Sequence, residues 1–168
     1  MLKKILLFIL IAFIGLVVWL SQGDNRQEIK TEIVISAPPE KVWNILTDFN
    51  RWSEWNTTVT KASGESALGA KLNITMSDGK GNDAQTYTAV ITQLEAPKLL
   101  HWRAKLLAEF LFTNEKIVEL EATEQGTKVV HRETFKGLMV KLFWSRMENG
   151  VPPILNAMNE ALKKTAEK

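Results

Sequence analysis

His131 and Glu133 are the residues of this sequence whose types and spacing could carry chemistry. Both fall in the run 127–135, which predicts a strand, and alternation places them on one face with Val129 and Phe135. If those apolar neighbours face the interior, a histidine and a carboxylate enter a cavity together. There they could polarise a ligand carbonyl or act as general acid and base. Two other interpretations stay open: this face is solvated near its end, or the two side chains satisfy each other.

Two further residues are predicted to line such a cavity. Trp102 lies on the apolar face of the predicted strand 99–105 and would form a wall of the core or of the cavity. Tyr87 is the single tyrosine and could supply a pocket hydroxyl or simply fill space. The predicted ligand-binding set is Tyr87, Trp102, His131, Glu133 and Phe135.

The sequence lacks the usual motifs of nucleophilic, metal-binding and phosphate-binding sites. The chain has no cysteine, and it has no Gly-x-Ser-x-Gly motif to present a nucleophilic serine. Its two histidines, His101 and His131, stand alone and lack the spacing of metal ligands. The glycines at 79 and 81 lie in a predicted turn and not before a helix, so they do not predict a phosphate loop. We therefore assign no catalytic residue, no metal and no cofactor.

The composition describes a globular protein without the charge of a nucleic-acid binder. Hydrophobic residues make up 45% of the chain and charged residues 24%, and the formal net charge is +2. No lysine or arginine run alternates with aromatic residues, so we predict no nucleic-acid partner. A protein partner is left undefined.

The first segment predicts a membrane anchor. Lys3 and Lys4 precede an uncharged apolar run, 5–20, which as a helix would be about 24 Å long against a hydrocarbon core of about 30 Å. Trp19 would lie at the far interface. We predict an anchor over 1–21, a linker over 22–27 and a domain over 28–168. The lysines favour an inside N-terminus and an extracytoplasmic domain, on the periplasmic side in a Gram-negative cell. The alternative is a signal peptide cleaved near 21–23.

The domain begins with a predicted strand and two short helices. The strand 29–35 must stop at Pro38-Pro39, where Pro39 is suited to a first helical turn. An apolar stripe follows in the helix, and a second helical turn over 51–55 carries two tryptophans. We expect Trp43, Trp52 and Trp55 to fill one end of the fold, with a ligand gate as the alternative.

The rest of the sequence predicts an antiparallel meander and a C-terminal helix. Residues 106–114 are either the beginning of a strand or a short loop helix. After Gly137 the chain turns helical, and Pro152-Pro153 should either kink that helix or begin a new one. The predicted strands after the helices are 57–61, 71–76, 85–94, 99–105, 115–122 and 127–135, giving six or seven in total. The fold class is α+β, with one long helix covering the sheet.

Three groups of motifs, in this order, carry a resemblance to a known superfamily. They are Ile35-Ser-Ala-Pro-Pro-Glu-Lys-Val-Trp43 with Trp52-Ser-Glu-Trp-Asn56, then Leu94-Glu-Ala-Pro-Lys-Leu-Leu-His-Trp102, then Gly126-Thr-Lys-Val129 with the terminal helix. The sequence from about 28 to 168 resembles the START-related SRPBCC superfamily, in particular its polyketide cyclase/dehydrase and lipid-transport-like branch. Thr57 departs from the pattern, since proline commonly follows the asparagine of this motif.

The resemblance implies a helix-grip fold, a curved antiparallel β-sheet wrapped around a long C-terminal α-helix with a hydrophobic cavity between them. It also implies binding or transport of a hydrophobic small molecule or lipid, here beside a membrane. The first alternative is an enzyme of cyclase, dehydratase or hydrolase type acting on an apolar ligand. The second is a protein-interaction accessory module whose cavity has collapsed.

Overall fold

A computed structural model describes residues 1–22, 25–105 and 108–168 of the chain. Its helices are α1 (Leu2–Ser21), α2 (Pro39–Thr47), α3 (Trp52–Trp55) and α4 (Val140–Ala166), with a 3-10 turn at Phe49–Arg51. Its strands are β1 (Arg26–Ile35), β2 (Val59–Ser63), β3 (Lys71–Ser77), β4 (Asp83–Glu95), β5 (Leu99–Lys105), β6 (Thr113–Thr123) and β7 (Gly126–Lys136).

The seven strands form one antiparallel sheet in the order β1-β7-β6-β5-β4-β3-β2. The short helices α2 and α3 connect β1 and β2, the two edges of that sheet, and α4 lies against β1 and β7. The predicted helix-grip fold is thereby confirmed. In the ambiguous segment, residues 106–107 lie outside the described residues, and the following strand begins at Thr113.

The junction of β1 and α2 follows from its residues. Pro38 is the N-cap residue, without a side-chain hydrogen bond to the helix, and Pro39 occupies the first turn as predicted, where a missing backbone donor costs no helical hydrogen bond. Thr127 Oγ1 donates to the Ala37 carbonyl over 2.6 Å and ties this corner to β7. A Cβ at Gly126 would lie 2.2 Å from the Ile35 carbonyl oxygen, and its φ is +121°. Only glycine fits there.

Helix α4 does not restart at its two prolines. Pro152 and Pro153 both lie inside the single helix Val140–Ala166. Of the two predicted alternatives, a kinked helix and a new helix start, the new start is therefore wrong. The buried stripe continues on both sides of the prolines, because Val140 precedes them and Leu155 follows. Packing of this stripe against β1 and β7 holds one helix together where local sequence disfavours it.

Helix α1 lies outside the core and exposes apolar side chains all around. Leu20 is its one buried residue, with 7% of its surface exposed. Within the described residues, α1 is the one helix that is both long enough and apolar enough to cross a membrane. Its most apolar window has a mean hydropathy of 2.6. A signal sequence has the same properties, so length and composition do not separate the two predictions.

Candidate ligand-binding site

A cavity of about 400 Å3 lies between the sheet and α4. Strands β3 to β7 form one wall, and Val151 and Ile154 of α4 form the other. The volume falls within the range of pockets for small molecules, about 300–1,000 Å3. The residues that line it are Met76, Ser77, Ala84, Gln85, Tyr87, Ala104, Lys105, Phe112, Asn114, Lys116, Glu133, Val151 and Ile154.

A buried ion pair forms the polar part of this cavity. Lys116 Nζ lies 3.4 Å from Glu133 Oε2, and the two side chains are only 10% and 8% exposed. Asn114 Nδ2 donates to the other carboxylate oxygen of Glu133 over 2.8 Å. The register of the sheet produces this pair, since Lys116 lies directly opposite Glu133 of β7 and also opposite Trp102 of β5. Inward-facing residues of three neighbouring strands therefore meet in one row.

The charges of this cluster follow from its environment. Burial on its own lowers the pKa of Lys116, but the charge of Glu133 offsets burial, so the pKa is raised overall. Burial raises the pKa of Tyr87. At neutral pH the cavity thus presents an ammonium group and a neutral phenol. Both can donate a hydrogen bond to a ligand carbonyl or carboxylate oxygen.

His131 belongs to a separate hydrogen-bond network behind the cavity. Asn159 of α4 donates from Nδ2 to Thr31 Oγ1 over 3.0 Å, so its Oδ1 faces His131 Nδ1 at 3.3 Å and accepts from it. Burial and, secondly, the charge of Lys116 lower the pKa of His131 to about 3, against the opposing contact with Asn159. The ring is neutral, carries its proton on Nδ1 and joins β7 to α4, and Asn159 continues the network to Thr31 of β1.

The structure separates the five predicted site residues into two groups. Tyr87 and Glu133 line the cavity. Trp102, His131 and Phe135 are 2%, 1% and 4% exposed and do not belong to the lining of the described cavity. The Trp102 and His131 rings lie 6.5 Å apart, and Phe135 packs between Phe112 and Trp144 at 6.0 and 6.4 Å. Ligand contact by any of the five stays a prediction.

Two residues of the site, Lys116 and Asn114, were missed in the sequence. One signal was present: both share the inward parity of Val118 and Leu120 on β6, so a lysine and an asparagine interrupt an apolar face. A buried lysine requires a partner, which points to an acidic residue on a neighbouring strand.

A second concave region, the outer groove, lies between α2, α3 and the C-terminal half of α4. Its volume is larger, about 910 Å3, and the charged side chains in its lining, such as Asp48, Arg51 and Lys164, are exposed. Water already satisfies such groups, whereas the inner cavity holds Lys116 and Glu133 away from water. We therefore take the inner cavity as the candidate site. Within the described residues, no group of three acidic or histidine side chains could hold a metal ion.

Comparison with known proteins gives the family. Residues 26–167 match the family model described as "Polyketide cyclase / dehydrase and lipid transport". The chain belongs to this family. A comparison with curated protein sequences finds no match.

Solved structures share the fold at low sequence identity. The di-domain ARO/CYC StfQ of the steffimycin biosynthetic pathway has a TM-score of 0.70 at 14% identity, over 86% of this chain and 51% of StfQ. The chain therefore spans about half the length of StfQ. Protein MLL2253 from Mesorhizobium loti has a TM-score of 0.62 at 22% identity, covering 83% of this chain and 98% of that one. Norcoclaurine synthase from Thalictrum flavum gives 0.64 at 13%, covering 83% and 86%.

Proposed function

We propose that this protein binds a hydrophobic small molecule or lipid whose polar end contacts Lys116 and whose apolar part fills the cavity. The observation that carries the proposal is the buried ion pair of Lys116 and Glu133 inside an otherwise largely apolar cavity. Membership of a family described by polyketide chemistry and lipid transport supports the same ligand class.

A role in recognition explains the ion pair better than a role in stability. Removing two charges from water is expensive, and a buried pair is often no better for stability than apolar residues of the same size. Here Asn114 and Lys116 each contact one carboxylate oxygen of Glu133. Glu133 thereby holds the ammonium group in place while leaving other ammonium protons for a ligand oxygen. Around this group, Met76, Phe112 and Ile154 offer apolar surface for a chain or ring.

We propose further that α1 anchors the domain to a membrane. The lysines at 3 and 4 favour a cytoplasmic N-terminus, which puts the domain on the extracytoplasmic side. Such a tether keeps the cavity next to a source of lipids. Retention of α1 in the mature protein, visible as its intact mass, distinguishes the anchor from a cleaved signal peptide.

An enzyme is the second candidate function, and one observation favours it. Lys116, Glu133 and Tyr87 bring a cation, a carboxylate and a neutral phenol into one cavity, a set that can polarise a carbonyl and move a proton. Within this candidate, the low pKa of His131 argues against that residue as a general acid. Lys116→Met would then abolish turnover of a polyketide substrate.

A photoactivatable fatty acid that carries a diazirine tests the binding proposal. The full chain is reconstituted in nanodiscs with this probe, illuminated, and digested, and the crosslinked peptides are mapped by mass spectrometry. We expect crosslinks in β4 and β6 beside the cavity, lost in Ala104→Leu, which places a larger side chain in the cavity. The matched control is Ala157→Leu in the outer groove, which should retain them. Crosslinks confined to α1, or equal in both variants, would overturn the proposal.

A further inference from the structure

Three large apolar side chains outside α1 are exposed at one place on the domain. Phe110, Leu142 and Phe143 are 65%, 51% and 42% exposed. Leu142 and Phe143 lie in the first turn of α4, and Phe110 lies in the connection before β6. Backbone hydrogen bonds join these two segments, because Leu138 N donates to the Phe110 carbonyl over 3.1 Å. We call these three residues the apolar face.

The end of α1 contacts the domain beside this face. Lys141 Nζ lies 3.9 Å from the centre of the Trp19 ring and 3.4 Å from the Trp19 carbonyl oxygen, to which it donates. Leu20 is buried at the same end of the helix. Lys141 directly precedes Leu142 and Phe143 in the sequence. The apolar face therefore begins one residue from a side chain that touches the end of the apolar helix.

The chain itself limits how far the face can lie from that end. Gly137 N donates to the Asn25 carbonyl over 3.1 Å, which fixes Asn25 next to the start of α4. Only four residue steps separate Ser21 from Asn25, a reach of at most about 14 Å. The polar interface of a bilayer adds about 5–8 Å on each side of the hydrocarbon core. With α1 in the membrane, the start of α4 is held at or near this interface.

We infer that the apolar face is a surface that contacts the lipid bilayer and inserts Phe110, Leu142 and Phe143 among the lipid headgroups. The occupant is lipid and not a protein, because the face is continuous with the end of α1 through Lys141 and Trp19. Aromatic and lysine side chains are the usual anchors at this depth. The inference rests on the membrane anchoring proposed above.

The same contact would place one wall of the cavity beside its source of ligand. The connection before β6 contributes Phe110 to the apolar face and Phe112 to the cavity wall. Met139 N donates to the Leu111 carbonyl over 3.0 Å, so the connection is attached to the start of α4 between these two residues. An apolar ligand that enters from the bilayer would then reach the cavity past Phe110 and Phe112.

Environment-sensitive labels test this inference directly, because the chain has no native cysteine to compete. Phe143→Cys and Leu142→Cys are labelled with NBD in the full chain, in vesicles of phosphatidylcholine and phosphatidylglycerol. Glu124→Cys, in the exposed turn between β6 and β7 at the far end of the sheet, is the matched control. We expect quenching by doxyl-labelled lipids to be at least threefold stronger at 142 and 143 than at 124. Equal quenching at all three positions would overturn the inference.

A label at Ile11→Cys in the middle of α1 tests the proposed membrane anchor independently of the apolar face. Quenching at 11 with none at 142 and 143 would leave the anchor intact and contradict the apolar face. Absence of quenching at 11 would contradict the anchor and the inference together, while cavity loading by the photoactivatable fatty acid would still stand. If the NBD label at 143 is shielded from water only at a high protein density in the vesicles, the occupant of the apolar face is a second copy of the chain. That result would also overturn the inference.

Discussion

The two ends of the space between the sheet and α4 are built in opposite ways. At the end beneath α2 and α3, Phe49, Trp52, Trp55 and Trp102 pack edge to face, with ring centres 5.3 to 6.2 Å apart. Trp52 Nε1 also donates to the Leu46 carbonyl over 2.9 Å. At the other end the same sheet and helix line an open cavity of about 400 Å3 beside a buried ion pair. The same sheet and helix therefore accommodate a packed core at one end and a cavity at the other.

The side chains of single strands account for the difference. Along the inward face of β5, Trp102 fills the first end and Ala104 opens onto the cavity. Along β6, buried Val118 gives way to Lys116 and then to Asn114. A step of two residues therefore separates a packed core from a cavity with a buried ion pair. Each of the following predictions tests one side of this contrast.

Truncation of a ring should be most damaging at the filled end. Trp52→Ala should lower the free energy of unfolding by about 3–5 kcal/mol, because a fully buried ring and its hydrogen bond are lost together. Urea unfolding of the full chain in micelles, followed by circular dichroism, measures this change. Trp144→Ala, at the half-buried ring beside the cavity end, is the control and should lose clearly less. Equal losses of stability in the two variants would contradict the contrast between the filled end and the cavity end.

Breaking the ion pair should be the most damaging change at the cavity end. Lys116→Met should destabilise the fold by about 3 kcal/mol, because the Glu133 carboxylate is left buried without its partner. Replacing both residues with Met should recover most of this loss in the same unfolding experiment. As a control, Lys61→Met breaks an exposed pair with Asp83 and should leave the midpoint unchanged. A double variant as unstable as Lys116→Met would show that the pair is structural.

His131, at the boundary of the two ends, should make stability depend on pH. Its pKa is about 3 in the fold against an ordinary 6.5, so the unfolded chain takes up a proton first as the pH falls. Stability should therefore drop below about pH 6.5, by about 2 kcal/mol between pH 7 and pH 5. His131→Gln should remove this dependence, whereas His101→Gln on the outer face should keep most of it. A wild-type profile that is flat from pH 7 to pH 5 would contradict a neutral buried ring.

Adding volume should destabilise the filled end and should give the smallest effect of all at the cavity end. Ala89→Leu in the filled core should destabilise by about 1–3 kcal/mol because no space receives the new atoms. Ala104→Leu should cost less than about 1 kcal/mol because its side chain enters open volume. Thermal unfolding of the two variants side by side measures the difference. Similar losses would mean that the cavity end is as tightly packed as the core.

The fold was largely predictable because its signals are local. Alternating apolar residues, the prolines at 38 and 39, and the stripe of the last helix each mark an element without reference to distant residues. The prolines at 152 and 153 misled in part, since packing against β1 and β7 keeps α4 in one piece.

The candidate site was only half visible in the sequence because register creates it. Glu133 stood out beside a histidine on its own strand, but its partner is Lys116, 17 positions away on β6. His131 likewise finds Asn159, 28 positions away on α4. Neither pairing follows from local pattern. A lysine on a strand is ordinarily a solvent-facing residue, so Lys116 was passed over.

The native mass of the full chain, purified from membranes in mild detergent, tests the central claim most directly. We predict that wild type and Ala157→Leu retain one apolar molecule per chain after the detergent is stripped in the gas phase. Ala104→Leu, with its cavity filled, should appear at the mass of the protein alone. A wild-type chain that carries no such molecule, or an Ala104→Leu chain that carries it equally, would contradict a ligand-binding cavity.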